Sequence, residues 1–375
     1  MSDEAILIIG ASETDSNLYY RTRFLAPDPF VCVEADGKRT LLMSDLELDR
    51  AKSQARADAV LPYSAYREKA VQSGVPEPRT ADVVAVFLRE RGIESLLVPG
   101  SFAVEHADGL RERGFALRFK KEPFFEERAV KSPEEIDAIA EALRHVEQVM
   151  GEAIGLVRAA DVRDDVLVLD GEPLTSERVK RFVDVELLKR GCVAQHTIVS
   201  SGDAACDPHN GGSGPLQART GIILDIFPRV STTRYFADIT RTVCKGGAPE
   251  PLRKMYDAVR RAQDIAFGKI RAGVPGREVH EAVAAFFERE GFETGLAGGR
   301  IRGFFHGTGH SVGIDIHEPP GMGKTSTSTL QAGNVVTVEP GLYYPGIGAV
   351  RIEDMVVVEE NGCRNLTIFP KFLDV

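Results

Sequence analysis

Short apolar runs alternate with longer amphipathic stretches in the first third of the chain. β-branched and aromatic residues, bounded by turn residues, predict strands at Ala5–Ile9, Phe30–Glu34, Thr40–Met43, Leu96–Val98 and Leu117–Phe119. A helix is predicted over Thr80–Arg91, with Thr80 as its N-cap and Gly92 just after its end. Strands that alternate with helices predict an α/β domain with a mixed sheet over residues 1–125. This region contains neither a GxGxxG fingerprint nor a P-loop, which disfavours a nucleotide site.

A second domain is predicted over residues 126–375. Ser132-Pro133-Glu134-Glu135 is a capping box with proline at the first helical position, and apolar residues follow it at three- and four-residue spacing. Further helices are predicted at Ser176–Arg190, Pro251–Arg271 and Arg277–Glu290. Strands are predicted at Thr197–Ser200, Gly221–Phe227, Tyr235–Val243, Val335–Glu339 and Val350–Val358. The pattern indicates the α+β class with antiparallel pairing.

Composition narrows the function classes. The length of 375 residues predicts two domains, with three as the alternative, and the 43% hydrophobic and 27% charged residues are typical of a globular protein. A formal net charge of −10 argues against nucleic-acid binding. The apolar run Ala5–Ile9 is too short for a signal-peptide core or a membrane span. Five scattered cysteines without a CxxC pair favour a reducing compartment, so a cytoplasmic protein is expected.

Five potential metal ligands follow or interrupt apolar strand-like runs in the second domain. They are Asp225, Asp238, His310, Glu339 and Glu353. Burial of an unpaired carboxylate costs several kcal/mol, so cations are natural companions of such residues. Four carboxylates and one imidazole form a hard donor set that suits Mn²⁺ or another first-row divalent ion. The number of ligands is too large for one zinc ion and predicts a pair of ions that activates a water molecule.

Asp225 and Asp238 are predicted to lie on the two strands of a hairpin with a polar turn around Arg229–Arg234. Side chains alternate between the faces of a strand, so a suitable register brings both carboxylates to one face.

The segments that carry these ligands resemble a family of known enzymes. DITRT at Asp238, HGxGHxxGxxxHE from His306, TVEPGLY around Glu339 and RIED at Glu353 occur in the order of the metallopeptidase clan of prolidase, aminopeptidase P and methionine aminopeptidase. The resemblance implies a C-terminal pita-bread (creatinase/aminopeptidase) fold preceded by a smaller creatinase-type N-terminal domain. DITRT, the Arg-Ile-Glu sequence ending in Glu353 and the N-terminal domain favour the proline-specific branch.

The resemblance also implies a role for each ligand. Asp225 would chelate one ion, His310 and Glu339 would hold the other, and Asp238 and Glu353 would bridge the two. Glu339 would also act as the general acid–base. Mn²⁺ is the expected metal, with Co²⁺ or Zn²⁺ as alternatives.

The resemblance also implies roles for residues that surround the metal ligands. His209, His306, His317 and Tyr343 would contact the substrate, and Arg351 would support the bridging carboxylates. His317 is the implied oxyanion donor, and His209 shares in catalysis.

The chain departs from the family pattern at one place. The first aspartate is usually followed two positions later by glycine, where this chain has Phe227, and the segment that leads to Asp238 is longer. A turn that bulges outward leaves the metal ligands in place, so the departure bears on substrate length more than on catalysis.

The predicted function is an Xaa-Pro dipeptidase, which acts on a small peptide with proline at its second position. The first alternative is an aminopeptidase P that cleaves longer peptides. A metal-independent creatinase-like amidinohydrolase and an inactive binding module are further alternatives, and the complete ligand set argues against both. A homodimer is expected from the resemblance, and no membrane partner is expected.

Overall fold

The computed structural model describes residues 4–375 and divides into two compact units, one that ends at Arg128 and one that begins at Ala129. The N-terminal unit contains a six-stranded mixed sheet in the order β4-β3-β2-β1-β5-β6. β1 pairs antiparallel with β2 and β2 with β3, whereas the other neighbours are parallel. Its strands are β1 (Ala5–Gly10), β2 (Phe30–Ala35), β3 (Lys38–Met43), β4 (Ala59–Pro62), β5 (Ser95–Pro99) and β6 (Ala116–Lys120).

Five α-helices accompany this sheet within residues 4–128. They are α1 (Ser16–Thr22), α2 (Leu48–Gln54), α3 (Tyr63–Gln72), α4 (Thr80–Glu90) and α5 (Val104–Glu112). Thr80 is the first residue of α4, so its prediction as the N-cap is wrong by one position. The Asp82 carboxylate accepts the backbone N–H of Arg79 at 2.9 Å, and this bond places the cap at Arg79. Gly92 follows the helix with a φ of +66°, as expected for a residue that ends it.

The C-terminal unit contains four α-helices within its described residues. They are α6 (Pro133–Ala159), α7 (Ser176–Lys189), α8 (Glu250–Lys269) and α9 (Gly276–Arg289). The predicted capping box of α6 is formed, because Ser132 N–H donates to Glu135 Oε2 at 2.9 Å and Glu135 N–H to Ser132 Oγ at 3.3 Å. The apolar face of α6 is buried through Leu143 and Val146.

Seventeen strands of this unit form small antiparallel sheets. They are β7 (Asp161–Arg163), β8 (Val166–Leu169), β9 (Glu172–Pro173), β10 (Cys192–Ala194), β11 (Ile198–Ser201), β12 (Ile222–Ile226), β13 (Pro228–Val230), β14 (Ile239–Val243), β15 (Gly295–Ala297), β16 (Arg300–Arg302), β17 (Gly309–Ser311), β18 (Glu318–Met322), β19 (Val335–Val338), β20 (Gly341–Tyr344), β21 (Gly348–Arg351), β22 (Asp354–Glu359) and β23 (Gly362–Asn365). The two largest sheets have the orders β11-β12-β14 and β18-β17-β19-β22-β23. Helices α8 and α9 cover apolar strand residues such as Val336 and Val356 and form a hydrophobic core with them.

The predicted single strand Val350–Val358 is two strands. β21 pairs with β20, and β22 pairs with β19. The chain changes partners at Ile352 and Glu353, so Glu353 lies at the break and not within a ladder. All five cysteines are free thiols. Within residues 4–375, no helix combines the length and apolar character that a membrane span requires.

Candidate metal centre

A cavity of about 760 Å³ lies in the C-terminal unit and contains most of the residues that the sequence singles out. The predicted site residues among its described lining are His209, Asp225, Asp238, His306, His310, His317, Glu339, Arg351 and Glu353. Tyr343 is the one predicted residue that is not part of this lining, and its side chain is fully buried.

The predicted hairpin is formed and brings the two aspartates to the same face, although the predicted strand Tyr235–Val243 begins only at Ile239, so Asp238 lies just before β14 and not on it. In the β12–β14 ladder Asp225 lies opposite Thr240, and Asp238 precedes Thr240 by two residues. Because side chains two positions apart share a face, Asp225, Asp238 and Thr240 all point to one side of the sheet. The register continues past the strands to the bridge between Arg229 and Phe236, so the longer connection forms the end of the same hairpin.

His310 is presented by β17 next to β19. A Cβ atom at Gly309 would lie 1.9 Å from the Thr337 carbonyl oxygen, so only glycine permits this close approach. His310 Nδ1 lies 3.2 Å from the carbonyl oxygen of Ser311, which assigns the proton to Nδ1. Nε2 is then a lone-pair donor, 3.4 Å from Glu339 Oε1 and 3.8 Å from Asp238 Oδ2. This orientation is the one that a metal-binding histidine requires.

Carboxylates of the site lie close to His310 Nε2. One ligand atom each from Asp238, His310 and Glu353 lie within 4.8 Å of one another. Among the described residues, neither Asp225 Oδ1 nor Asp238 Oδ1 has a hydrogen-bond partner, although both atoms are buried. Buried acceptors without a donor call for a cation or a proton.

Burial, together with repulsion between neighbouring carboxylates, raises the pKa values of three of these residues. Burial, with the charge of Asp225, raises the pKa of Glu339 to about 7. Burial, followed by the neighbouring Glu353, raises the pKa of Asp238 well above its usual range, and burial with Glu339 does the same for Glu353. These residues fit divalent metal, which would relieve both the desolvation and the repulsion.

Arg351 is the only lysine or arginine among the described residues that line the cavity. Its Nη2 donates to Asp225 Oδ2 at 2.6 Å, and its Nη1 donates to the Tyr343 hydroxyl at 2.8 Å. The sequence placed Arg351 near the bridging carboxylates Asp238 and Glu353, whereas its direct carboxylate partner is Asp225. A charge-assisted bond of this length fixes the Asp225 side chain.

Tyr343 connects Arg351 to His306. His306 Nδ1 lies 2.8 Å from the carbonyl oxygen of Gly307, so Nδ1 carries the proton and Nε2 accepts from the Tyr343 hydroxyl at 2.9 Å. Burial, reinforced by Arg351, lowers the pKa of His306 to about 3, which keeps the ring neutral. The polar atoms of His306 and Tyr343 are thus occupied within the protein. His306 lines the cavity and Tyr343 lies behind its wall, and their contacts with substrate stay predictions.

His317 and His209, unlike Tyr343, both line the cavity. The His317 ring centroid lies 4.3 Å from that of His310 at an interplanar angle of 77°. Burial, with His310 as a second cause, lowers the pKa of His317. His209 is exposed and lines both the main cavity and an adjoining depression beside α7. Both imidazoles can therefore meet a ligand in the cavity.

Two supporting threonines were not predicted. Thr240 Oγ1 donates to Glu353 Oε2 at 2.7 Å, and Thr337 Oγ1 donates to Glu339 Oε1 at 3.3 Å. Strand alternation would have indicated both, because Thr240 lies two residues after Asp238 and Thr337 two residues before Glu339. His196, which has no motif context, also lines the cavity.

Comparisons with known proteins agree with this geometry. Residues 137–360 match the model of metallopeptidase family M24. The chain is 27% identical to an Xaa-Pro dipeptidase of Pyrococcus furiosus over 363 residues, which cover 94% of this chain and 90% of that protein. An uncharacterized peptidase of Bacillus subtilis is 36% identical over 176 residues, which cover 47% of each chain.

Solved structures match along the whole chain. The X-Pro aminopeptidase of Thermotoga maritima has a TM-score of 0.82 at 23% identity and covers 99% of this chain and 97% of its own. The Xaa-Pro dipeptidase of Bacillus anthracis has a TM-score of 0.83 at 24% identity, with coverages of 99% and 95%. These matches establish the predicted α+β, pita-bread fold. Since the family model spans more than half of the sequence and its matched region contains all five candidate ligands, the chain belongs to metallopeptidase family M24.

Proposed function

We propose that this metallopeptidase is an Xaa-Pro dipeptidase, which hydrolyses the peptide bond before a C-terminal proline. The observation that carries the proposal is the convergence of Asp238, His310 and Glu353 within 4.8 Å in a cavity that Asp225 and Glu339 also line. Similarity to an Xaa-Pro dipeptidase over 94% of the chain supports the choice of substrate.

The five ligands would hold two divalent ions. Asp225 would bind one ion, His310 and Glu339 the other, and Asp238 and Glu353 both. Mn²⁺ is the proposed metal because the donors are one imidazole and four carboxylates, with Co²⁺ and Zn²⁺ as alternatives. The ions supply Lewis acidity, which polarises the scissile carbonyl and lowers the pKa of water.

Glu339 is the proposed general acid–base. Its Oε1 accepts a hydrogen bond from Thr337 Oγ1 at 3.3 Å and lies 3.4 Å from His310 Nε2, so the carboxylate is held beside the proposed metal ligand. It removes a proton from the attacking water and returns that proton to the imino nitrogen of proline.

The histidines and the arginine have separate proposed roles. His317 lines the cavity, and its ring lies edge-on to that of the proposed metal ligand His310. From this position it donates a hydrogen bond to the oxygen on which negative charge develops. His209, exposed at the cavity, orients the peptide. Arg351 holds Asp225 in position through the 2.6 Å bond.

A paired hydrolysis assay after Mn²⁺ loading tests the proposal. The substrates are an Xaa-Pro dipeptide, the same dipeptide with alanine in place of proline, and a longer peptide with proline second. We expect cleavage of the Xaa-Pro dipeptide alone, and loss of cleavage in Asp238→Ala. Preferential cleavage of the longer peptide would identify an aminopeptidase P. Metal binding without cleavage of any of the three would indicate an inactive binding module.

The homodimer and the cytoplasmic location belong to the same proposal. Light scattering of the purified protein measures the first, and fractionation of the source cells measures the second.

A further inference from the structure

A buried ion pair lies behind the cavity wall. Lys131 Nζ is 2.8 Å from Glu318 Oε2, and the two side chains are 2% and 5% exposed. Neither residue belongs to the described lining of the cavity, so the pair does not touch a ligand there. Burial of two charges is costly and is offset only by close and well-directed contacts.

Glu318 directly follows His317 and fills the loop that leads to it. Glu318 Oε1 accepts the backbone N–H of Asp315 at 3.1 Å. A Cβ atom at Gly313 would lie 2.5 Å from Glu318 Oε2, so the loop closes tightly around the carboxylate. The carboxylate therefore determines the path of the backbone immediately before His317.

Lys131 connects the same carboxylate to the other end of the loop. Its Nζ lies 3.4 Å from Ser311 Oγ, and Ser311 directly follows His310. Ser311 Oγ in turn donates to the carbonyl oxygen of Val335 at 2.9 Å. Ser311 and Glu318 are also register partners in the β17–β18 ladder, at the point where the register shifts after His310. One ammonium group thus joins the residues that adjoin the two histidines.

The backbone of Lys131 is itself anchored. Its N–H donates to the carbonyl oxygen of Gly333 at 2.9 Å, just before β19. The Lys131 side chain therefore extends from a fixed backbone position to the loop that precedes His317.

We infer that Lys131 and Glu318 are positioning residues that set the His317 ring against His310 at the observed 4.3 Å. A carboxylate with two directed hydrogen bonds specifies one loop conformation, whereas apolar packing of the same volume tolerates several. The catalytic consequence rests on the proposed function of His317, but the positioning itself does not.

Two variants separate positioning from stability. Glu318→Gln preserves the shape and removes the charge. The double variant Lys131→Met/Glu318→Leu replaces the pair by apolar groups, which commonly restores stability. We expect kcat on an Xaa-Pro dipeptide to fall by about 10- to 100-fold in both, with a smaller change in KM, because such supporting residues usually contribute that much. The double variant should nevertheless unfold near the wild-type Tm.

Two further measurements do not depend on that interpretation of kcat. The imidazole NMR signals of His317 should shift in both variants, and Mn²⁺ binding by calorimetry should persist because the five ligands are unchanged. In His317→Ala, the additional Glu318→Gln substitution should cause little further loss of kcat, since both changes remove the same contribution.

Asp82→Asn is the matched control. Asp82 and Arg113 form a partly buried ion pair at 2.6 Å in the N-terminal unit. This variant should lose thermal stability and keep its kcat. The inference is overturned if the double variant regains wild-type kcat together with its stability, if the His317 signals do not move, or if the losses of Glu318→Gln and His317→Ala multiply. A wild-type protein that cleaves no Xaa-Pro peptide contradicts the proposed function alone, because the NMR measurement still tests the positioning.

Discussion

Arg351 and Asp225 form a buried ion pair at 2.6 Å across 126 positions of the chain. Arg351 ends β21 and Glu353 follows it at the break before β22, so one short segment carries both a cation and a carboxylate of the centre. The guanidinium offsets part of the negative charge of the four carboxylates. Bound metal would offset the negative charge that remains.

Arg351→Lys should lower kcat/KM by about 10- to 100-fold, as removal of a supporting partner of a metal ligand commonly does. A single ammonium group cannot reach both Asp225 Oδ2 and the Tyr343 hydroxyl, which Arg351 joins through two different nitrogens. Steady-state kinetics and calorimetric Mn²⁺ titration measure the effect. Arg302→Lys is the control, because Arg302 is a partly exposed arginine paired with Glu293, and its kinetics should match the wild type. Equal activity of Arg351→Lys and wild type would contradict the role of the Asp225 contact.

Removal of metal should make stability fall as pH rises. The pKa of Glu339 is raised from 4.5 to about 7 in the folded protein. The folded state therefore binds the proton more tightly than the unfolded state, and this contribution is lost as pH rises from 4.5 through 7. The raised pKa values of Asp238 and Glu353 act in the same direction. Thermal unfolding of chelated protein across this range should show a falling Tm, which added Mn²⁺ reverses.

The matched comparison for this pH dependence is Glu339→Gln, which cannot ionise. The chelated variant should lose less Tm than the chelated wild type over the same range. A chelated wild type whose Tm rises with pH relative to that of the variant would show that the folded protein does not raise the pKa of Glu339.

Phe227→Ala should change the preference for substrate length. Phe227 lines the cavity two residues after Asp225, at the position where the family usually has glycine. Truncation of the ring opens that wall, so the ratio of kcat/KM for a longer proline-second peptide to that for an Xaa-Pro dipeptide should rise by about tenfold. Phe236→Ala is the control, since Phe236 lies on the same hairpin outside the described lining. An unchanged ratio would show that Phe227 does not limit peptide length.

Arg241→Met should destabilise the protein by about 3–5 kcal/mol, the usual cost of breaking a buried ion pair. The Arg241 side chain is 2% exposed, and its guanidinium donates to Asp354 Oδ1 at 2.9 Å. It also donates to the backbone carbonyl oxygens of Glu353 at 2.6 Å and Phe369 at 2.7 Å. Urea denaturation of the Mn²⁺-loaded protein measures the loss. Arg364→Met, at an exposed arginine paired with Glu359, should differ little from wild type; similar losses in both variants would refute a special role for Arg241.

Local features could be read from the sequence because each depends on residues close together in the chain. The capping box of α6 is a contact between Ser132 and Glu135, and it formed as predicted. The hairpin that carries Asp225 and Asp238 followed from strand alternation across a short connection. The order of the five ligands followed from motifs, and the family match contains all of them.

Long-range partners could only be seen in the tertiary structure. The break at Glu353 arises because β21 and β22 pair with different strands, which no periodicity within Val350–Val358 reveals. Lys131 and Glu318 meet across 187 positions of the chain. Spacing in sequence determines which face of an element a residue occupies, since the backbone period is local. The partner on that face depends on how distant strands and helices are brought together, and that is decided only when the whole unit packs.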